Sequence, residues 1–158
     1  MKWFPAWVLV AAMGALLTLA PWLAAGEPPM PGPTDRCAVC GMYVAKYPSW
    51  VAAVVFSDGT REFFDGPKDL FRYLLDPLKY AGGRDMSEIT DVFVTDYYTT
   101  KMIDGTTALY IVGSDVVGPM GAELVPVSSR DNATTFMKDH RGVEVLTFDQ
   151  ISVDKLSK

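Results

Sequence analysis

The order of secondary-structure signals, which occurs twice along the chain, constrains the fold more than any other feature of the sequence. In the first half, residues Trp50 to Phe56 are apolar and β-branched, and Asp58-Gly59 separates them from a second short run, Arg61 to Phe64. An Asp-Gly pair between two apolar runs predicts a β-hairpin. Residues Pro67 to Leu75 have apolar side chains at helical spacing and proline in the first turn, which predicts a helix. Val92 to Thr95 predicts a third strand.

The second half of the chain repeats this order. Ala108 to Val112 and Leu124 to Val127 predict two strands. Arg130 to His140 predicts a helix that Gly142 ends, and Val143 to Phe148 predicts a last strand. A unit of about 60 residues buries only a marginal core alone, so we expect the two units to pack together. The sequence therefore predicts an α+β fold of two related strand-strand-helix-strand units with mainly antiparallel sheets.

An apolar stretch from Trp3 to Leu23 precedes this domain, and Lys2 is the only charged residue before it. Its length is near the roughly 20 residues that span a bilayer as a helix. Ala24-Ala25-Gly26 would equally suit the cleavage site of an export signal. An uncleaved anchor and a cleaved signal therefore both stay open, and either places the following residues outside the cytoplasm.

A proline-rich segment follows the apolar stretch. Four prolines between Glu27 and Thr34 predict a stiff, extended spacer. No cysteine lies between Ala20 and Glu27, which argues against a lipid attachment site. We expect a signal or membrane anchor at 1–26, the spacer at 27–35 and the folded domain at 36–158, with halves at about 36–97 and 98–158.

The charge of the chain restricts its partners. The formal net charge at pH 7 is −5, and the exported part is more negative still because Lys2 stays in the cytoplasm. Nucleic acids and anionic lipid surfaces attract basic proteins, so neither is an expected partner of the domain. The acidity is compatible with a cationic ligand, although a solvated acidic surface is the commoner explanation.

The two cysteines of the chain, Cys37 and Cys40, are separated by two residues. A disulfide closing so short a loop adds little stability, so such pairs are more often metal-binding or redox-active. A closed zinc site needs four ligands, and the chain lacks a second cysteine pair and has one histidine, His140. The proline-rich sequence before Cys37 does not match the strand that precedes a thioredoxin-type site. Metal binding is favoured, with redox chemistry and a simple disulfide as alternatives.

Two methionines accompany the cysteines. Met42 follows Gly41, which can adopt positive φ and curl the chain back towards the thiols. Met120 lies in the loop Gly118-Pro119-Met120-Gly121, where little core surrounds it. Thioethers and thiolates together select copper(I). Methionine is also a common filler of cores, so both side chains keep packing as an alternative role.

Four motifs in this order resemble the NosL family, the accessory proteins of nitrous oxide reductase. They are Cys37-x-x-Cys40-Gly41-Met42, Phe64-Asp65, Thr95-Asp96-Tyr97 and Pro119-Met120-Gly121. The resemblance extends from about Arg36 to Phe148. It differs in two respects, since many members are lipoproteins and many have Trp where this chain has Lys101-Met102.

The resemblance implies a periplasmic copper(I) chaperone, and not an enzyme. The apolar run itself predicts that residues 3–23 hold the chain at the inner membrane. The resemblance also implies Cys37, Cys40, Met42 and Met120 as metal ligands. It further implies delivery of copper for nitrous oxide reductase, with an ABC-type membrane complex as partner. The alternative from the residues alone is a thiol–disulfide oxidoreductase using Cys37 and Cys40, and a structural module with a Cys37–Cys40 bridge is a third.

Three other features favour structural roles. Phe63 and Phe64 are expected in the core because paired aromatics in a strand are mostly buried. Asp65 precedes Gly66-Pro67 and is expected to cap the helix that follows. His140, at the end of the second predicted helix, suits the negative end of the helix dipole.

Overall fold

A computed structural model describes residues 27–157 of the protein. The first of its sheets has four antiparallel strands. Their order is β2-β1-β3-β4, and β1 pairs with both β2 and β3. The Asp-Gly hairpin is present between β1 and β2, with Gly59 at φ 80°. The strands are β1 (Ala52–Phe56), β2 (Arg61–Phe64), β3 (Ile89–Thr95) and β4 (Met102–Asp104).

The second sheet has three antiparallel strands in the order β8-β5-β9. As in the first sheet, the earliest strand is central and the two later strands flank it. A small hairpin is inserted after the central strand. The strands of the second half are β5 (Leu109–Val112), β6 (Val117–Gly118), β7 (Gly121–Ala122), β8 (Val125–Val127) and β9 (Glu144–Thr147). The predicted α+β class and the repeated unit are confirmed.

One main helix belongs to each half, as predicted. Proline occupies the first turn of α1 (Pro67–Leu75), where its missing N–H costs no hydrogen bond. The hydroxyl of Ser129 accepts a hydrogen bond from the Asn132 amide and caps α3 (Arg130–Asp139). A short helix α2 (Pro77–Tyr80) follows α1, and 3-10 turns occur at Val44–Lys46, Met86–Glu88, Phe148–Gln150 and Val153–Ser157.

The two halves share one core, because α1 packs between them. The ring of Phe71 on α1 lies 5.1 Å from the ring of Tyr110 on β5 and 5.1 Å from that of Phe148. Tyr110 and Phe148 belong to the second half, so Phe71 of the first half joins the two halves in one core. Phe63 and Phe64 are buried in this core, as expected. A smaller core lies where Phe136 of α3 meets Ile111 of β5.

One strand of the first sheet differs from the sequence prediction. Strand β4 was not predicted, because three residues are too few to give an alternating pattern. It follows Tyr97 in the chain yet pairs with β3, so it extends the first sheet. Among residues 27–157 no helix has the length and apolar character to cross a bilayer. The predicted anchor at 3–23 lies outside the described residues.

Candidate metal centre

The segment from Cys37 to Met42 forms a closed loop. The Cys37 amide donates to the Met42 carbonyl at 2.8 Å, and the Gly41 amide donates to the Cys37 carbonyl at 2.9 Å. Gly41 has φ 76°, the left-handed conformation that glycine adopts without strain. The predicted curl at Gly41 is therefore confirmed. It brings Cys37 and Cys40 to the same side of one loop.

Strand β2 brings this loop to the start of α1. Cys37 forms a parallel bridge with Phe63, and the Ala38 amide donates to the Phe63 carbonyl at 3.0 Å. The chain then continues through Asp65 into the first turn of α1, which carries Asp69. One ligand atom each from Cys37, Cys40, Asp65 and Asp69 lies within 4.8 Å of the others. Two sulfurs and two carboxylates thus converge on one small volume.

A chain of polar contacts fixes the inner thiol. The Cys37 thiol donates to Asp69 Oδ2 at 3.3 Å, and the other oxygen of Asp69 accepts from Arg72 Nη1 at 2.7 Å. Cys37 and Asp69 are buried, while the Arg72 side chain is 33% exposed. Arg72 therefore neutralises a buried carboxylate from the surface side and orients it towards the thiol.

Asp65 is the least compensated group of the centre. It is fully buried, and within residues 27–157 neither of its oxygens has a partner at hydrogen-bonding distance and angle. Burial raises the pKa of Asp65, and the Asp69 charge adds to the rise, although the nearby thiols of Cys37 and Cys40 oppose it. A buried carboxylate of this kind is costly unless a proton or a cation joins it.

The prediction that Asp65 caps α1 is wrong. Gly66 occupies the N-cap position, and no side chain there bonds the helix. The Lys68 amide instead donates to Glu123, which belongs to the other half of the chain. Asp65 is thus free to face the thiols because a distant carboxylate serves the helix end.

Both cysteines are free thiols. Burial raises the pKa of Cys37 well above its ordinary value, and burial also raises the pKa of Cys40 to about 11, against hydrogen bonding from the Met42 amide that lowers it. Without a cation, both sulfurs are therefore protonated at neutral pH. A bound metal would have to displace those protons.

The two predicted methionine ligands lie in different surroundings. The Tyr47 hydroxyl donates to Met42 Sδ at 3.7 Å, so this sulfur already has a polar neighbour. Met120 lies in the turn between β6 and β7 and is 42% exposed. Their roles as ligands remain predictions. The carboxylates of Asp65 and Asp69 were not predicted as ligands, since a local capping pattern accounted for the first and no sequence pattern singled out the second.

The donor types of the centre fit a thiophilic cation. Thiolates prefer copper(I) and zinc, and carboxylates supply charge or a hard donor. A buried thiol and a partly exposed thiol lie beside a carboxylate that has no hydrogen-bond partner among residues 27–157, and a cation would complete this arrangement.

Comparison with known proteins finds similarity to one family. A profile of the NosL family matches residues 30–156. The copper-binding lipoprotein NosL of Stutzerimonas stutzeri is 30% identical over 126 residues, and the match covers 75% of this chain but only 62% of that relative. The crystal structure of the copper chaperone NosL from Shewanella denitrificans has the same fold, with a TM-score of 0.70 at 24% identity, over 83% of this chain and 99% of that one. The chain therefore belongs to the NosL family.

Proposed function

We propose that this chain is an extracytoplasmic copper(I)-binding chaperone that delivers copper for the maturation of nitrous oxide reductase. One observation carries the proposal. Cys37 and Cys40 converge with the buried, unpartnered carboxylate of Asp65 within 4.8 Å. Relatives that match the chain are named as copper-binding and copper chaperone proteins, which supports copper as the cargo.

Copper(I) is the proposed oxidation state because the two cysteines are soft donors. The thioethers of Met42 and Met120 are proposed to complete the ligand set. The Tyr47 hydroxyl would hold the Met42 sulfur beside the loop until copper arrives. Met120 is 42% exposed, so its thioether is accessible to a copper ion.

Transfer is proposed to proceed from the inner thiol to the outer one. Cys37 is 3% exposed, whereas Cys40 is partly exposed, so a partner's donors can reach copper first at Cys40. When copper binds, the Cys37 thiol must lose its proton, and Asp69 Oδ2, which already accepts that proton in a hydrogen bond, is placed to receive it. A partner would reverse these steps.

The proposed setting is the periplasm, with an ABC-type membrane complex as partner. Residues 1–26 are proposed as signal or inner-membrane anchor, 27–35 as spacer, and 36–158 as the copper-binding domain. The relative from Stutzerimonas stutzeri is named a lipoprotein. We propose that the apolar run Trp3–Leu23 gives this chain a comparable membrane association without a lipid.

A thiol–disulfide oxidoreductase is the weaker alternative. Nucleophilic cysteines of that class have pKa values lowered towards or below neutrality. Here burial raises the pKa of Cys37, and it raises the pKa of Cys40 to about 11. Neutral thiols attack disulfides slowly, whereas a thiophilic cation can displace their protons when it binds the sulfurs.

The proposal is tested by anaerobic titration of the reduced full chain with copper(I) against a competing chelator. Cys37→Ser and Cys40→Ser are each expected to weaken binding strongly. Met42→Leu and Met120→Leu are also expected to weaken binding, and Met30→Leu is their control because Met30 is an exposed side chain of the spacer. If the wild type binds no more tightly than the double cysteine variant, the chaperone proposal fails.

A further inference from the structure

The N-terminal end of α1 depends on a carboxylate from the opposite half of the chain. Glu123 follows β7 and is 5% exposed. Its Oε1 accepts from the Lys68 amide at 2.6 Å and from the Leu124 amide at 3.0 Å. Since Gly66 offers no capping side chain, Glu123 satisfies a helix amide that would otherwise be buried without a partner.

Two glycines make room for this carboxylate. A Cβ on Gly66 would lie 2.6 Å from Glu123 Oε2, and a Cβ on Gly118 would lie 3.0 Å from the same oxygen. Gly66 precedes α1 and Gly118 ends β6, so the Glu123 carboxylate packs between the start of the helix and the hairpin that carries Met120. Neither position tolerates a larger residue without displacing the carboxylate.

A second contact ties the same two elements in the opposite direction. Lys68 Nζ donates to the Ala122 carbonyl on β7 at 2.5 Å, and the Lys68 side chain is mostly buried. The β7 end of the β6–β7 hairpin (residues 117–122) is therefore fixed to the first turn of α1, through the Ala122 carbonyl and the adjacent Glu123 carboxylate.

The first turn of α1 is also the acidic wall of the metal centre. Asp65 directly precedes Gly66, and Asp69 directly follows Lys68. The residues that dock the hairpin, Gly66 and Lys68, thus lie between the two that line the centre. Met120 lies at the turn of this hairpin, between Gly118 and Gly121, with its side chain partly exposed.

We propose that Glu123 is a positioning residue that docks the β6–β7 hairpin on α1 and so holds the Met120 thioether at the metal centre. This rests on the proposed copper function. A Glu123 that served only to stabilise the domain would affect copper binding independently of Met120. A positioning residue acts through Met120, and the two roles therefore give different results when both residues are changed.

The test is a double-mutant cycle for copper(I) affinity in the reduced full chain. Glu123→Ala is expected to weaken binding roughly ten-fold, the lower end of the loss seen when residues that orient metal ligands are removed. Met120→Leu is expected to cause a similar loss, and the double variant little more than either. Glu123→Gln keeps an acceptor oxygen and is expected to retain near-wild-type affinity. If Glu123→Ala lowers copper(I) affinity by the same factor in the wild type and in the Met120→Leu variant, the proposal is overturned. It is also overturned if Glu123→Ala does not lower the affinity of the wild type.

Hydrogen exchange of the metal-free protein separates this proposal from the copper function itself. Amides of residues 117–122 are expected to exchange faster in Glu123→Ala than in the wild type, with Glu123→Gln close to the wild type. Unchanged exchange would refute the docking role whether or not copper binds. Failure of the wild type to bind copper better than the double cysteine variant, with exchange altered as expected, would remove the copper function and leave the docking intact.

Discussion

The metal-free protein should become more stable when Asp65 is replaced by asparagine. Asp65 is fully buried, and neither oxygen has a hydrogen-bond partner within the described residues. Leaving a buried polar group unsatisfied costs about 1–3 kcal/mol, and a charged one more. Asparagine has nearly the same shape but no charge, so Asp65→Asn removes the additional cost of the charge, and we expect it to raise the free energy of unfolding at neutral pH by about 1 kcal/mol or more.

The pH dependence follows from the direction of the pKa shift. Burial raises the folded-state pKa of Asp65 above its ordinary value of 3.8. The folded protein therefore holds this proton more tightly than the unfolded chain, and the associated stability is complete below pH 3.8 and is lost as pH rises through the folded pKa. The advantage of Asp65→Asn should accordingly be largest near neutral pH and should shrink in acid.

Urea denaturation of the reduced, metal-free full chain at several pH values measures both effects. A gain of this size corresponds to a rise in melting temperature of roughly 2–4 °C per kcal/mol for a chain of this length. Copper(I) affinity of the same variant should fall roughly ten-fold, as in other altered metal sites. A variant that is less stable than the wild type at neutral pH, or equally more stable at every pH, would refute the reasoning. Asp91→Asn, at a partly exposed strand position, is the control.

Three further predictions concern other parts of the same assembly. Burial raises the pKa of Glu123 from 4.5 to about 7, so wild-type stability should fall by roughly 3 kcal/mol between those pH values, and denaturation of Glu123→Gln should lack this component. Gly66→Ala should cost about 1–3 kcal/mol in denaturant unfolding, since its Cβ would meet Glu123 Oε2 at 2.6 Å. Alkylation of Cys40 at neutral pH should be roughly a hundred-fold slower in the folded than in the unfolded protein, because burial raises its pKa from 9.0 to about 11; equal rates, followed by mass spectrometry, would contradict this.

Most of the fold could be predicted from local patterns. Helix α1 begins and ends at the predicted residues, and β2 matches its predicted range, because apolar spacing, proline and an Asp-Gly turn are each specified within a few residues. The β6–β7 hairpin was read as a loop instead. Its strands have two residues each, too few to show alternation, and its turn is rich in glycine. The hydrogen bonds from Lys68 to Ala122 and Glu123 fix the end of the hairpin on α1, and no local pattern encodes them.

In the candidate metal centre, too, the residues specified by local patterns were predicted and those placed by long-range contacts were not. Cys37 and Cys40 were predicted together because their chemistry and their spacing are both local. Asp65 was assigned a local role, that of a helix cap, and the structure gives that role to Glu123, 55 residues away from the amide it accepts from. The sequence offered no reason to look further, since aspartate before glycine and proline is a sufficient capping pattern on its own.

This exchange of roles explains how an unfavourable carboxylate can persist in the core. If Asp65 capped α1, its charge would be satisfied by helix amides and it would face away from the thiols. Because Glu123 takes that position, Asp65 is left beside Cys37 without a hydrogen-bond partner among residues 27–157, and its burial costs stability that a proton or a cation can recover. The contact between the two halves therefore does more than join two marginal cores. It leaves Asp65 uncompensated in the metal-free protein, whereas Arg72 neutralises Asp69, and an uncompensated buried carboxylate favours the capture of a cation.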